Sequence, residues 1–412
     1  MHSCLHLRNY PGALRPYGRY KSEQMDINHT SEIRPAVFAR RGEIDYVLFA
    51  VVVIFYGLGI IMVFSAGIGI QKSDAFYFLR KQVMWVVLSF TAFMIFTFMD
   101  YRIIERRIKV FVWGIIALLV LLLLPPLIER GFVHTSRRWF RFSTVGFQPS
   151  EFAKIILIIY LASILSKKGN KINDFYRGFL PPFLITSVIA FLVFLEPDFS
   201  TAFLLFFIAI LMFFIAGIRS ISIISLVIVS IPALFLMVNE RGYRKERITG
   251  FLNPWADPTD KGYQIIQSFK AFARGGFAGA GLGRSVQKIK YLPIPHTDFI
   301  FAICAEELGY IGVILIIFLY MVMAYRGFKI ACSQSESFEF LLAFGITSLI
   351  VWEAVLNIAV VTGLLPSTGI SLPFLSYGGS GLLANSIMMG MLLNISRKTA
   401  ESNMMVQEEQ RQ

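Results

Sequence analysis

Apolar residues in this chain fall in uninterrupted blocks rather than at the three- and four-residue spacing of an amphipathic surface helix. A helix needs roughly 20 apolar residues to cross a hydrocarbon core of about 30 Å, and many blocks reach that length. They predict spans at 45–66, 81–100, 109–128, 150–166, 179–196, 199–218, 221–239, 298–325, 338–363 and 380–396. The expected architecture is an all-α integral membrane protein with about ten transmembrane helices over 45–396. The 150–166 block is short and 179–196 forms a tight hairpin with 199–218, so nine or eleven spans stay open. Residues 1–44 are polar and basic, without the apolar core of a cleavable signal peptide, and read as a disordered tail in which Met25 is an alternative start.

Lys and Arg placement orients the spans. Arg34, Arg40 and Arg41, then Arg102, Arg106, Arg107 and Lys109, then Lys167, Lys168, Lys171 and Arg177, and later Arg219, Arg326, Lys329, Arg397 and Lys398 all fall on one side. That side is expected to be the cytoplasm, with both termini, including the 397–412 tail, inside. Two outer segments break the rule: 129–149, with Arg137, Arg138 and Arg141, and the long loop 240–297 between spans seven and eight, with Arg244, Arg247 and Lys288 among its basic residues. Either long loops translocate regardless of charge, or these cations meet an anionic group at the outer leaflet, where Arg suits phosphate.

Composition narrows the classes. With 56% hydrophobic residues, 16% charged and mean hydropathy +0.64, a soluble domain is excluded. The net charge of +13 has no basic face interleaved with aromatics, so no nucleic-acid partner is expected. Cys4, Cys304 and Cys332 lack metal-ligand spacing, and no disulfide framework is expected.

Candidate chemistry gathers at the outer helix ends. Gln148-Pro149-Ser150-Glu151 opens a span with Lys154 on the same face; Glu196-Pro197-Asp198 turns a hairpin; His296-Thr297-Asp298 opens another span; and 364–380, rich in Gly, Pro and Ser, includes Ser376 and Tyr377. In the predicted topology all four are outside, which argues for one site. Asp298 is singled out: a carboxylate at the mouth of a span is either a helix cap or a partly desolvated general base. Glu306 and Glu307 lie about 12 Å deeper on the same predicted helix, on faces that keep them from joining Asp298 together, and one of them is expected to pair, structurally rather than catalytically, with a basic residue of a neighbouring helix. Segment 364–380 is expected to be the re-entrant wall of a cavity or else a surface loop. The glycines of 275–283 follow no strand, so a dinucleotide site is not expected.

These residues resemble a known family. The 281–288 run, Tyr291-Leu292-Pro293, His296-Thr297-Asp298-Phe299, Glu306-Glu307-Leu308-Gly309, Arg137-Arg138-Trp139, the 148–154 run, Glu196-Pro197-Asp198 and the 373–380 stretch look like the SEDS family of FtsW and RodA, in order over roughly 45–396. Gln287-Lys288, Tyr291-Leu292-Pro293 and 361–366 look like the division branch, FtsW. The resemblance implies a peptidoglycan glycosyltransferase of the bacterial inner membrane, at the division septum. It would polymerise lipid II by inverting β-1,4 transfer, with a class B penicillin-binding protein and other divisome proteins as partners. The family's essential aspartate falls on Asp298. Arg137, Arg138, Lys154, Arg244 and Lys288, with Ser376 and Tyr377, are then expected at the substrate and its pyrophosphate; Gln148, Glu151, Glu196, Asp198, His296 and Thr297 in support; no certain cofactor, with Mg²⁺ or Mn²⁺ as a candidate. Thr135, Ser143, Ser200 and Gly381 depart from the family's usual residues. A RodA-type elongation polymerase, a lipid II flippase and a non-catalytic divisome scaffold are the alternatives.

Overall fold

The computed structural model describes residues 44–67, 76–124, 138–142, 145–169, 172, 174–225, 228, 242–290 and 297–409. In chain order the helices are α1 (Tyr46–Gly67), α2 (Tyr77–Phe98), the single turn α3 (Arg102–Arg106), α4 (Ile108–Leu123), α5 (Pro149–Lys168), α6 (Leu180–Leu195), α7 (Phe199–Ile215), α8 (Gly242–Leu252), α9 (Tyr263–Gly275), the short α10 (Gln287–Lys290), α11 (Ile300–Cys332), α12 (Ser337–Val361) and α13 (Gly379–Glu409). Between α4 and α5 two three-residue strands, β1 (Phe140–Phe142) and β2 (Val145–Phe147), pair antiparallel, an addition to the expected all-α pattern.

α1, α2, α4 to α7 and α11 to α13 lie where spans are predicted. Among the described residues, six helices are long and apolar enough to cross a bilayer: α1, α2, α5, Phe175–Leu195, α11 and α12. α4 and α7 are apolar but shorter, and 221–239 lies largely outside the described residues. Local chemistry sets several starts. Pro149 enters α5 in its first turn, where a missing N–H costs nothing. Asp198 caps α7 by accepting from the Thr201 amide at 3.3 Å.

α13 packs along α2, α11 against α12 and α1, and α12 against α5 and α7. Large side chains on the outer faces stay exposed, among them Val87, Trp113, Ile314 and Met321. Bands of this kind suit lipid tails, which take the place of a second apolar layer. One end of the bundle is laced by ion pairs: Arg102–Glu336 at 3.0 Å, Lys167–Glu105 at 2.8 Å, Arg326–Asp45 at 2.7 Å and Lys398–Asp100 at 2.6 Å. The Gln148, Asp198, Asp298 and Gly379 ends of their helices lie together at the other end. Cys304 is a buried free thiol, and Cys4 lies outside the described residues.

The long connection between α7 and α11 carries α8, α9 and α10, with α9 seated on α11, where the Phe272 and Phe301 rings meet at 6.1 Å between centroids. α11 itself is broken at Gly309, whose φ of 67° and ψ of −166° are not helical. The freed backbone groups are met by the glycine-rich hairpin after α9: the Ala280 and Gly281 amides donate to the Glu306 and Glu307 carbonyls at 2.9 and 3.1 Å, and the Tyr310 amide donates to the Gly276 carbonyl at 3.0 Å. Asp298 precedes α11 in a turn, so the helical angles expected between it and Glu306 or Glu307 do not apply.

Gly309→Ala is expected to lower the melting temperature of the detergent-purified protein. The conformation alone costs a non-glycine residue about 1–3 kcal/mol, and a Cβ would stand 2.6 Å from the Phe277 carbonyl oxygen.

Candidate active site

A cavity of about 110 Å³ opens at the Asp298 end of the bundle. α5 contributes Glu151 and Lys154, three residues apart on one face, with Gln148 just before them. α7 supplies Thr201 and Leu204, α12 supplies Glu353, and α13 supplies Gly381. Thr297 and Asp298 enter from the turn before α11, and Trp139 from the residues before β1. The remaining wall is non-helical: Gly369, Ile370, Ser371, Tyr377 and Gly378. Leu372, Phe374 and Leu375 are buried behind it, which selects the cavity-wall reading of this segment over the surface loop.

Hydrogen bonds fix that wall. Asn357 Nδ2 donates to the Asp298 carbonyl at 2.9 Å and to the Ile370 carbonyl at 2.8 Å. The Ser376 hydroxyl donates to the Thr297 carbonyl at 2.8 Å and accepts from the Leu372 amide at 2.8 Å. Tyr320 donates to the Pro373 carbonyl at 2.5 Å, and the Gln148 amide donates to Ser380 Oγ at 3.1 Å. Ser376 thus holds backbone, whereas Tyr377 faces the cavity.

The Asp298 carboxyl is half-buried, and its pKa is pushed up to about 6. Burial is the largest cause; Arg247 opposes it, Asp198 adds to it, and Arg138 opposes it. Arg138 donates through Nε to the Glu196 carbonyl at 3.2 Å and through Nη2 to the Pro197 carbonyl. Arg247 donates to the Ser367 carbonyl at 3.1 Å. Gln148 Nε2 donates to Ser150 Oγ at 3.0 Å and to Asp198 Oδ2 at 3.4 Å. Glu196 is wholly buried, and among the described residues its carboxyl oxygens have no hydrogen-bond partner. Burial, aided by Asp198 and opposed by Arg138, pushes its pKa up to about 9, so it is protonated at neutral pH.

Two expected cations are placed otherwise. Lys154 lines the cavity, but its ammonium lies 2.8 Å from Glu151 Oε2 and is also bonded to Glu353 Oε1. With both carboxylates ionised the trio carries a formal charge of −1, which disfavours a phosphate there. Lys288 is not at the cavity: its buried Nζ meets Glu307 Oε1 at 2.7 Å and Ser65 Oγ at 2.9 Å. Arg137 and His296 lie outside the described residues, as does the side chain of Arg244. Sequence reasoning missed Glu353 and Asn357 and did not separate Arg247 from the other loop cations. The signal for Glu353 was available, since an acidic residue inside an apolar span marks a functional hypothesis by default.

Comparisons with known proteins place the chain. A cell cycle protein family covering FtsW, RodA and SpoVE matches residues 45–401. A probable peptidoglycan glycosyltransferase FtsW of Geobacter sulfurreducens is 40% identical over 357 residues, covering 86% of this chain and 95% of that one. Stage V sporulation protein E of Bacillus subtilis is 40% identical over 357 residues, covering 86% and 97%. A chain from a structure titled for the coordination of polymerization and crosslinking by a peptidoglycan synthase complex superposes with a TM-score of 0.71 at 26% identity, covering 86% and 98%. The rod shape determining protein RodA of Thermus thermophilus shares the fold, with a TM-score of 0.62 at 23% identity, covering 86% and 97%.

Lys154→Met leaves Glu151 and Glu353 without their shared cation. The variant is expected to lose about 3–5 kcal/mol of stability, read as a lower melting temperature in detergent. The double change Lys154→Met/Glu353→Leu is expected to recover a large part of that loss.

Proposed function

The chain belongs to the FtsW, RodA and SpoVE family of cell cycle proteins and is a multi-pass membrane peptidoglycan glycosyltransferase, and from that premise we propose that Asp298 is its general base. The observation that carries this reading is a carboxyl of raised pKa at a cavity mouth, flanked by Arg138 and Arg247. Near pH 7 it is deprotonated, yet close enough to its pKa to take up a proton.

In this reading the acceptor lipid II presents its sugar 4-hydroxyl to Asp298. The oxygen attacks the anomeric carbon of the growing strand as its proton passes to the carboxylate. The bond from that carbon to the undecaprenyl pyrophosphate breaks, the electron pair leaves with the pyrophosphate, and inversion gives the β-1,4 link. Arg138 and Arg247 are the cations disposed to steady the departing charge. Gln148, Asp198, Thr297 and Tyr377 serve the sugars or their positioning, and Arg137, Arg244 and His296 remain candidates at the same face. The Glu151–Lys154–Glu353 trio suits hydroxyl groups rather than phosphate.

Mg²⁺ or Mn²⁺ fits as a companion of the substrate. Among the described residues no group of three His, Cys, Asp or Glu side chains converges, whereas Mg²⁺ needs one or two carboxylates once phosphates and waters complete its shell. Asp198 would supply a carboxylate, leaving Asp298 free to act as the base, and the ion would neutralise charge on the pyrophosphate. The cavity end faces outward and both termini face the cytoplasm, as the Lys and Arg distribution favours. The place of action is the division septum of the bacterial inner membrane, with a class B penicillin-binding protein as the transpeptidase partner. The similarity to a chain of a peptidoglycan synthase complex that coordinates polymerization and crosslinking supports such a pairing.

The test is polymerisation of purified lipid II by the intact complex with that transpeptidase. Wild type is expected to make long glycan strands, and Asp298→Asn to fall by about 10²–10⁴-fold. Strands from both would remove Asp298 from the chemistry. Strands from neither, with the complex intact, would favour the flippase or scaffold.

A further inference from the structure

The buried charges at the α11 break are absent from the reaction as described. Glu306 and Glu307 are 0% and 1% exposed. Glu306 accepts from the Ser285 hydroxyl, from the Val286 amide at 3.0 Å and from the Gln287 amide at 3.3 Å, with Arg274 3.6 Å away. Glu307 accepts from Lys288 Nζ at 2.7 Å, the Ser65 hydroxyl at 2.6 Å and the Ser285 amide at 3.3 Å. Two carboxylates and two cations balance in charge, and they fasten residues 285–288 to α11 and α1.

This clasp sits where it governs Asp298. Because Gly309 interrupts the helix, the piece Ile300–Leu308 does not inherit its position from the long remainder of α11. Its far end is held by Asn357 on the Asp298 carbonyl and its near end by the clasp. The chain that leaves the clasp at α10 returns as Thr297 and Asp298, directly before that piece.

We infer that Glu306, Glu307 and Lys288 are positioning residues, a clasp that sets the depth and rotation at which Asp298 enters the cavity. The inference rests on the reading of Asp298 as the base. Catalysis is steep in such placement: a shift of about 1 Å costs on the order of 100-fold. Substrate binding draws on the rest of the cavity and its rim, so KM is spared.

The test is steady-state lipid II polymerisation by the full chain with its transpeptidase, each variant checked for monodispersity and melting temperature. Lys288→Met and Glu307→Gln each strand one buried charge, and each is expected to lower kcat about 100-fold with KM within about twofold of wild type. The double change Lys288→Met/Glu307→Gln removes both charges and keeps an acceptor oxygen for Ser65, so kcat is expected to recover to within about tenfold of wild type. Folded single variants with wild-type kcat would overturn the clasp. So would a double variant as inactive as Lys288→Met alone with a raised KM, which would make Lys288 a direct substrate ligand. Where the single variants do not fold, a stable, active double variant supports the clasp and an unstable or inactive one overturns it. An inactive wild type would instead strike at the polymerase reading.

Discussion

An amide or carbonyl left unpaired in hydrocarbon costs several kcal/mol, so a membrane protein that uses irregular backbone must satisfy it from within. One wall of the candidate site is built of such backbone. The wall 364–378 is bonded to Asn357, Ser376 and Tyr320, and the break at Gly309 is filled by the hairpin of 275–283. Helices alone present side chains at fixed spacing along straight faces. These two departures let Asp298, Tyr377 and side chains from α5 and α12 face a common space, with Arg138 close enough to act on the Asp298 carboxyl.

Electrostatics within that space divide by position. Arg138 and Arg247 stand toward the Asp298 side, anchored on the Glu196, Pro197 and Ser367 carbonyls. The Glu151–Lys154–Glu353 trio forms the opposite character, a cation already spent on two carboxylates. In the polymerase reading this separates the pyrophosphate from the sugar. It also leaves Asp298 where desolvation outweighs its cationic neighbours, so the carboxyl titrates near neutrality rather than at the usual carboxylate value. Preoriented charges of this kind act without reorganising when the reaction occurs.

The placement of the spans was legible because hydropathy depends on the chain alone: Tyr46–Gly67, Pro149–Lys168 and Ser337–Val361 lie within a few residues of the predicted blocks. The gathering of Gln148, Asp198, Asp298 and Tyr377 was legible too, since alternate helix ends must share a face. Lateral neighbours were not. Lys154 and Lys288 read as candidate phosphate ligands because the sequence shows a charge without showing what it meets across the bundle. Their partners Glu353 and Glu307 sit 199 and 19 residues away in the chain. The break at Gly309 was hidden for a related reason, as one glycine in an apolar run looks the same whether the helix continues through it or stops. Likewise, nothing in the sequence sets Arg247 apart from the other basic residues of 240–297.

The central claim is that a desolvated Asp298 carboxylate accepts the proton in glycan polymerisation, and the pH dependence of kcat/KM for lipid II tests it most directly. Asp298 must be deprotonated to act, so the rate is expected to be full above its pKa, half-maximal at about pH 6 and lost as the pH falls further. A profile flat from about pH 5 to about pH 8, with the complex intact throughout, would contradict it.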